Sequence, residues 1–264
     1  MSLAYREIRR KVPLNELNLF SATSVASVEY NLERVRGSKY INTRTEILEW
    51  LVKASKEQAK QLCEEARRRF YRTAEAYRLA GYRLLSTEGE FIEARLSSHG
   101  LFGGRSFGYT LFEVGLEFDP LLNLPMIPGS SIKGALNSAW EALELQGGKE
   151  LIFGRKEGVG GCVFCDALPI EPNHDGFILY PDVITPHYPN DILEETKEPT
   201  PIAYISVAPG VKFGFIIAVD RTISSNILDK LKRAFLFAFS MGLGSKTSVG
   251  YGVFTITSFN IQLG

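Results

Sequence analysis

Gly242-Leu-Gly-Ser-Lys-Thr-Ser-Val-Gly-Tyr-Gly252 sets four glycines, one lysine and three serine or threonine hydroxyls in one short run. Glycines permit positive φ and close backbone approach, so the N–H groups beside Gly242, Gly244, Gly250 and Gly252 can converge on an anion. Lys246, flanked by Ser245 and Thr247, adds a point charge and neutral donors suited to phosphate. The run fits a cradle for a phosphate backbone or another chain's backbone, or a glycine-rich turn before a strand. It is not a nucleotide P-loop: Ser245 separates Gly244 from Lys246, and the loop lies between a helix and a strand in the wrong order.

A second run, Ile127-Pro-Gly-Ser-Ser-Ile-Lys-Gly134, places Ser130, Ser131 and Lys133 at a helix start. Free N–H groups and the helix dipole draw phosphate to such a terminus, and a capped helix with its lysine in water would look the same. Ser130 or Ser131 is the expected N-cap. Cys162-x2-Cys165 has the spacing of half a zinc site, and within a strand its two thiols face opposite ways; core or turn cysteines fit better. His99, beside Gly100-Leu-Phe-Gly-Gly104, has the chemistry of a general base, although no nucleophile has a recognisable setting near it or near His187. Packing or surface roles suit His99, His174 and His187 better. Asp166 and Asp182 could bind magnesium, but nothing in their spacing requires it. No cofactor and no metal are expected.

Elements must hold these residues. Across Thr43–Leu85, Ala59, Leu62, Ala66, Phe70, Thr73, Tyr77, Ala80 and Leu84 recur at helical spacing. Arg67, Arg68, Arg69, Arg72, Arg78 and Arg83 cluster there, as a solvated helix face or a nucleic-acid contact. The aromatic and β-branched run Arg105–Phe118 predicts a strand. Ile132, Ala135, Leu136, Ala139, Trp140 and Leu143 give an apolar helix face ended by Gly147-Gly148. Short strands follow near 161–168 and 177–180. The proline-rich, acidic stretch 181–201, with Asp191, Glu194, Glu195 and Glu198, reads as a surface excursion. Residues 203–219 predict a strand pair broken at Pro209-Gly210. Ser224 or Ser225 caps a helix bearing Leu228, Leu231, Phe235 and Ala238, and a strand from Val249 to Ile261 closes the chain.

The order strand, helix, strands, helix, strand is that of a ferredoxin-like βαββαβ unit, whose sheet leaves one face free for ligands. The expected architecture is one α+β chain: an N-terminal helical addition over 1–100 packed on a core over 101–264. The chain has 264 residues, 45% hydrophobic and 23% charged, with formal net charge zero. No whole-molecule field draws it to nucleic acid or anionic lipid, so any such site is a local patch or one shared with partners. Three cysteines do not make a disulfide framework. The basic, non-apolar start is not a signal peptide, and no apolar run is long enough to span a bilayer. A cytoplasmic protein with no membrane association is expected.

Pro128-Gly-Ser-Ser-Ile-Lys-Gly134, Phe153-Gly154, Asp166-Ala167 and Gly242-x-Gly-x5-Gly-Tyr-Gly252, in that order, resemble the RAMP superfamily of CRISPR proteins. Tyr180-Pro-Asp-Val-Ile-Thr-Pro-His-Tyr188 with Pro201-Ile-Ala-Tyr-Ile205 resembles more specifically the sixth-subunit family of type III-B (Cmr) effector complexes. The resemblance spans about residues 100–260. It implies an RNA-binding, RRM-like ferredoxin fold assembled with other Cmr subunits around a guide RNA paired to a target RNA. It further implies a non-catalytic subunit near the guide's 3′ end, used in antiviral defence. On this reading Lys246, Lys133, Ser130 and Thr247 contact phosphates or ribose hydroxyls, and the 190–198 segment meets neighbouring subunits.

Two alternatives stand beside the structural subunit. One is a metal-independent endoribonuclease that processes precursor CRISPR RNA, with His99 as base and Lys133 or Lys246 stabilising the phosphate; no second acid–base partner for His99 is visible in the sequence. The other is an α+β interaction protein with no nucleic-acid role.

Overall fold

The computed structural model describes residues 4–35, 40–87, 89–103, 107–155, 158–185 and 201–256. Helices α1 (Ala4–Lys11), α2 (Leu19–Val35) and α3 (Tyr40–Leu79) lead the chain. The middle of α3 is rich in alanine, glutamate, lysine and arginine, strong helix formers. One stripe of it, Ala59, Cys63, Ala66, Phe70 and Ala74, is fully buried. Gly81 at φ 88° ends the helix, with Tyr82 N–H bonded to Tyr77 O and Gly81 N–H to Arg78 O, the paired bonds of a glycine C-terminal cap.

The strands are β1 (Arg83–Leu84), β2 (Ile92–Leu96), β3 (Phe118–Asp119), β4 (Leu124–Pro125), β5 (Cys162–Phe164), β6 (Leu168–Glu171), β7 (Leu179–Ile184), β8 (Ile202–Val207), β9 (Lys212–Phe215), β10 (Ile217–Val219) and β11 (Phe254–Thr255). The helices among them are α4 (Tyr109–Phe112), α5 (Gly129–Ala142), α6 (Lys149–Phe153) and α7 (Ser225–Met241). The four-stranded sheet runs β11-β2-β9-β6 with antiparallel neighbours throughout. A three-stranded sheet, β1-β10-β5, and two hairpins, β3-β4 and β7-β8, complete the pairing.

The alternation Ile92-Glu-Ala-Arg-Leu96 sends Ile92, Ala94 and Leu96 inward, where they share a core with Phe213 and Phe215 of β9 and the apolar faces of α5 and α7. Some phenylalanine pairs of that core meet edge to face: Phe215 and Phe239 lie 4.9 Å apart, Phe215 and Phe254 5.6 Å. Glu93 and Arg95 turn to the opposite face and join a ladder of ion pairs, Arg67–Glu93 at 2.7 Å, Lys212–Glu171 at 2.9 Å and Arg95–Glu171 at 2.7 Å. The sequence led to the expectation of one free sheet face, and this face is not free. The α3 stripe covers it, packing on Leu168, Ile170, Ile216 and Ala218 in a second hydrophobic cluster, so this part of the chain is layered helix, sheet, helices.

Several expectations are corrected. The described part of the run 105–118 is not a strand through its length: Gly108 and Glu113, both at positive φ, close one helical turn between them, and Phe107, Phe112 and Phe118 go into the core. The strand that enters the four-stranded sheet ahead of α5 is β2. Neither Ser130 nor Ser131 caps α5; Pro128 holds the N-cap position and the helix begins at Gly129. Ser224 is the N-cap residue of α7 but makes no side-chain cap bond. Both strands expected over 203–219 form, yet β8 pairs with β7 and β9 with β2 and β6. The closing strand is only Phe254–Thr255 among the described residues, because Thr247–Val249 forms a 3-10 turn. Its expected continuation at 257–261, His187 and the acidic 190–198 segment lie outside the described residues.

Candidate nucleic-acid interface

Register builds the polar centre of the molecule. In the β7–β8 hairpin Tyr180 stands opposite Ser206 and Asp182 opposite Tyr204, so the period of two puts all four on one face. Tyr204, with no accessible surface, donates its hydroxyl to Asp182 Oδ2 at 2.9 Å. Tyr251, from the glycine loop, donates to the same oxygen at 2.7 Å. Each phenol has one proton and both go to Asp182, so the 3.1 Å between the two hydroxyl oxygens is a contact imposed by the shared carboxylate. Burial first, with the Asp182 charge behind it, pushes both phenol pKa values up.

Two further groups complete the cluster. Lys246 Nζ donates to Tyr204 Oη at 3.1 Å and stands 4.9 and 5.2 Å from the Tyr204 and Tyr251 ring centres. Desolvation pulls its pKa down, and Asp182 opposes that shift. His99 Nδ1 lies 3.0 Å from Ser206 Oγ and 3.8 Å from Asp182 Oδ2. Ser206 gives its own proton to Tyr180 O at 3.3 Å, so neutral His99 donates through Nδ1 and keeps its lone pair on Nε2.

The glycine loop is fitted to the chain's own backbone. Leu243 N–H bonds to Gly252 O, Gly252 N–H to His99 O and Ser245 N–H to Leu101 O. A Cβ at Gly252 would lie 1.9 Å from Leu243 O, at Gly242 2.5 Å from Tyr251 O, and at Gly244 2.5 Å from Leu101 O. Three of the four glycines therefore serve close packing within the fold. Gly250 at φ 88° has nothing within 4 Å of its Cβ position, and with Ser248 and Val249 it forms the exposed tip. Lys246 itself adopts φ 59° and heads the 3-10 turn that begins at Thr247.

The start of α5 is a separate place. Gly129 N–H, one of the donors expected to meet phosphate, is bonded to Asp166 Oδ1 at 2.7 Å, and Gly129 packs so tightly that a Cβ would lie 2.1 Å from Phe164 O. The anion at this terminus is thus a side chain of the protein. Ser130 and Ser131 are exposed and Lys133 half-buried. Among the described residues no hydrogen bond or ion pair joins this start to the Lys246 cluster.

The arginine cluster of α3 is largely engaged within the protein: Arg67 with Glu93, Arg68 with Glu65, Arg69 with Asp119 and Arg78 with Glu90, while Arg83 donates to the carbonyls of Asp220 and Ile223. Cys162 belongs to the core beneath α5 and α7, whereas Cys165 packs toward α3 with its thiol 3.7 Å from Tyr77 Oη. They face opposite sides, as strand geometry requires.

His99, Asp182 and Lys246 were singled out one by one in the sequence, and the fold brings them together. Tyr204, Tyr251, Ser206 and Tyr180 were missed as site residues. The signal for three of them is the alternation of 180–182 with 204–206, which pairs polar with polar across a hairpin. The second acid–base partner that the sequence did not offer His99 is present in space as Asp182.

The RAMP superfamily profile matches residues 100–255, and the chain belongs to that superfamily. Over 94% of its length, and 93% of the relative's, it is 30% identical to a Saccharolobus solfataricus protein described as CRISPR system CMR subunit Cmr6. A Cmr6 subunit from Pyrococcus furiosus is 34% identical over 114 residues, 38% of this chain and 32% of that one. In the cryo-EM structure of type III-B Cmr-beta bound to cognate target RNA, one chain superposes with a TM-score of 0.82 and 27% identity, covering 100% of this chain and 98% of that one. Among the described residues no helix is long and apolar enough to cross a membrane.

Proposed function

We propose that this chain is an RNA-binding, non-catalytic structural subunit of a type III-B CRISPR effector complex. It holds guide RNA near its 3′ end beside neighbouring Cmr subunits, with target RNA paired to the guide. The observation that carries this reading is the superposition of the whole chain on one chain of Cmr-beta bound to target RNA. The sheet order β11-β2-β9-β6 supports a ferredoxin-like βαββαβ core formed by β2, α5, β6, β9, α7 and β11, with the α1–α3 extension packed against it. Ser130, Ser131 and Lys133 at the start of α5, and Ser245, Lys246 and Thr247 with Gly250 in the loop, are the proposed RNA contacts, while Gly242, Gly244 and Gly252 shape the loop from within. A neutral protein suits this role, because guide–target pairing supplies sequence specificity and the protein supplies shape.

The test is retention of labelled single-stranded RNA by the purified chain at two salt concentrations. Binding should weaken with salt, and Lys133→Ala/Lys246→Ala should lower the salt slope by about 1.4 if each lysine neutralises one phosphate. The RNA should stay intact. The arrangement of His99 with Asp182 favours one second reading, a metal-independent ribonuclease with His99 Nε2 as general base. RNA cleavage that disappears in His99→Ala would establish that reading and refute the scaffold.

A further inference from the structure

One row of contacts extends well beyond the lysine-and-glycine residues already discussed. Lys56 Nζ of α3 stands 4.1 Å from the ring centre of Phe177. Phe177 meets Tyr180 edge to face at 5.8 Å, Tyr180 meets His99 at 5.7 Å, and His99 meets Tyr251 at 6.0 Å. Lys246 closes the row above Tyr251. Four rings from three separate segments thus form a continuous strip with an ammonium at each end.

The strip reaches the surface. Tyr180 is 41% exposed, Lys56 is exposed, and Phe177, His99 and Tyr251 are half-buried. It is also held in place. Ser206 bonds the Tyr180 carbonyl and His99 Nδ1, Asp182 fixes the Tyr251 hydroxyl, and Lys56 lies along Gly176, whose Cβ position is 3.7 Å from Lys56 Cε. Asp182, the carboxylate bonded to Tyr251, has one oxygen occupied by two phenols. Val183, the exposed aliphatic neighbour, belongs to the other face of β7.

Every link in the row is ring to ring or ring to ammonium. Those are the contacts that recognise a base and its phosphate without regard to sequence, since every base presents a π-face. We infer that this strip binds unpaired nucleotides of a single-stranded RNA, with bases stacked on Tyr180 and His99 and phosphates drawn to Lys56 and Lys246. Paired RNA does not suit it, because stacking on a side chain requires a splayed base. The inference rests on the proposed RNA-binding role and adds a site to it: Lys56, Phe177 and Tyr180 lie outside the two runs assigned to RNA above.

Anisotropy of fluorescein-labelled oligouridylate with the full chain tests the strip, using Tyr180→Ala, Tyr180→Phe, Lys56→Ala and Lys133→Ala/Lys246→Ala. Tyr180→Ala should weaken binding roughly tenfold or more, the usual effect of removing a stacking ring. Tyr180→Phe keeps the ring and should bind like the parent, and Lys56→Ala should lower the salt slope by about 0.7. A 4-thiouridine oligomer should crosslink to Tyr180 or His99. If Tyr180→Ala binds as the parent does while the Lys133/Lys246 variant is weakened, the strip is refuted and the RNA-binding role stands. If the parent protein binds no oligouridylate, both fall.

Discussion

Replacing Gly252 by alanine tests the account of the glycine loop most directly. Gly252 has φ 71°, and a Cβ there would lie 1.9 Å from Leu243 O and 3.0 Å from Leu243 N and C. These are backbone atoms of a buried residue, so no rotamer change relieves the overlap. The two segments must part, and with them go the bonds from Leu243 N–H to Gly252 O and from Gly252 N–H to His99 O. Left-handed alanine costs about 1–2 kcal/mol. Each lost hydrogen bond adds about 1 kcal/mol, for a total of about 3–4 kcal/mol. In a chain of this size that lowers Tm by roughly 10 °C. Gly250→Ala is the control: φ is 88° but nothing lies within 4 Å, so only the conformational cost of about 1–2 kcal/mol applies. Thermal unfolding by circular dichroism compares the two. Equal melting temperatures for Gly252→Ala and Gly250→Ala would refute the claim that the loop is packed on its own backbone.

Gly134, inside α5 with open space around its Cβ position, should behave oppositely: Gly134→Ala should stabilise by about 0.5–1 kcal/mol, read as a rise in Tm. Asp166→Ala should cost about 1 kcal/mol by leaving Gly129 N–H without its acceptor, and Asp166→Asn should restore most of it in urea titrations. Burial, reinforced by Glu171 and by Asp220, pushes the Cys63 and Cys162 thiols up to about 12. Because the fold excludes their thiolates while the unfolded chain ionises near 9.0, their contribution is intact below that pH and lost as pH rises toward 12. The loss is about 1.4 kcal/mol per pH unit for each thiol. Urea midpoints between pH 8 and 10.5 should therefore fall more steeply for the parent than for Cys63→Ala/Cys162→Ala, and parallel slopes would refute it.

Helices α3, α5 and α7 were legible from their long apolar stripes, whereas the stripe Leu19, Ala22, Ala26 and Tyr30 of α2 was missed. The α3 residues Ala59, Ala66 and Phe70, and the faces of α5 and α7, follow directly from spacing. Strand β2 carried an equally clear alternation, Ile92-Glu-Ala-Arg-Leu96, that only five residues made easy to overlook. The run 105–118 was misread because its phenylalanines suit a strand by composition, while two left-handed residues, one of them Glu113, decide the backbone. Strands such as β1 and β11, two residues each, are too short for any period to register. The site was legible as separate residues only. Tyr251 and Asp182 are 69 positions apart, and what joins them is the docking of the glycine loop on the β7–β8 hairpin, which no local pattern encodes.

One helix ties the molecule together mechanically. The 40 residues of α3 span about 60 Å. Ile47, Leu48, Leu51 and Ala54 of its first half sit in the larger core, and Ala59 through Ala74 of its second half in the smaller. Neither core can melt without releasing half of the same rod, so unfolding should be a single concerted event. The most slowly exchanging amides should then run through the middle of α3, where the two cores meet. A load applied at the helical end should reach the sheet as a lever transmits it, through a rigid shaft.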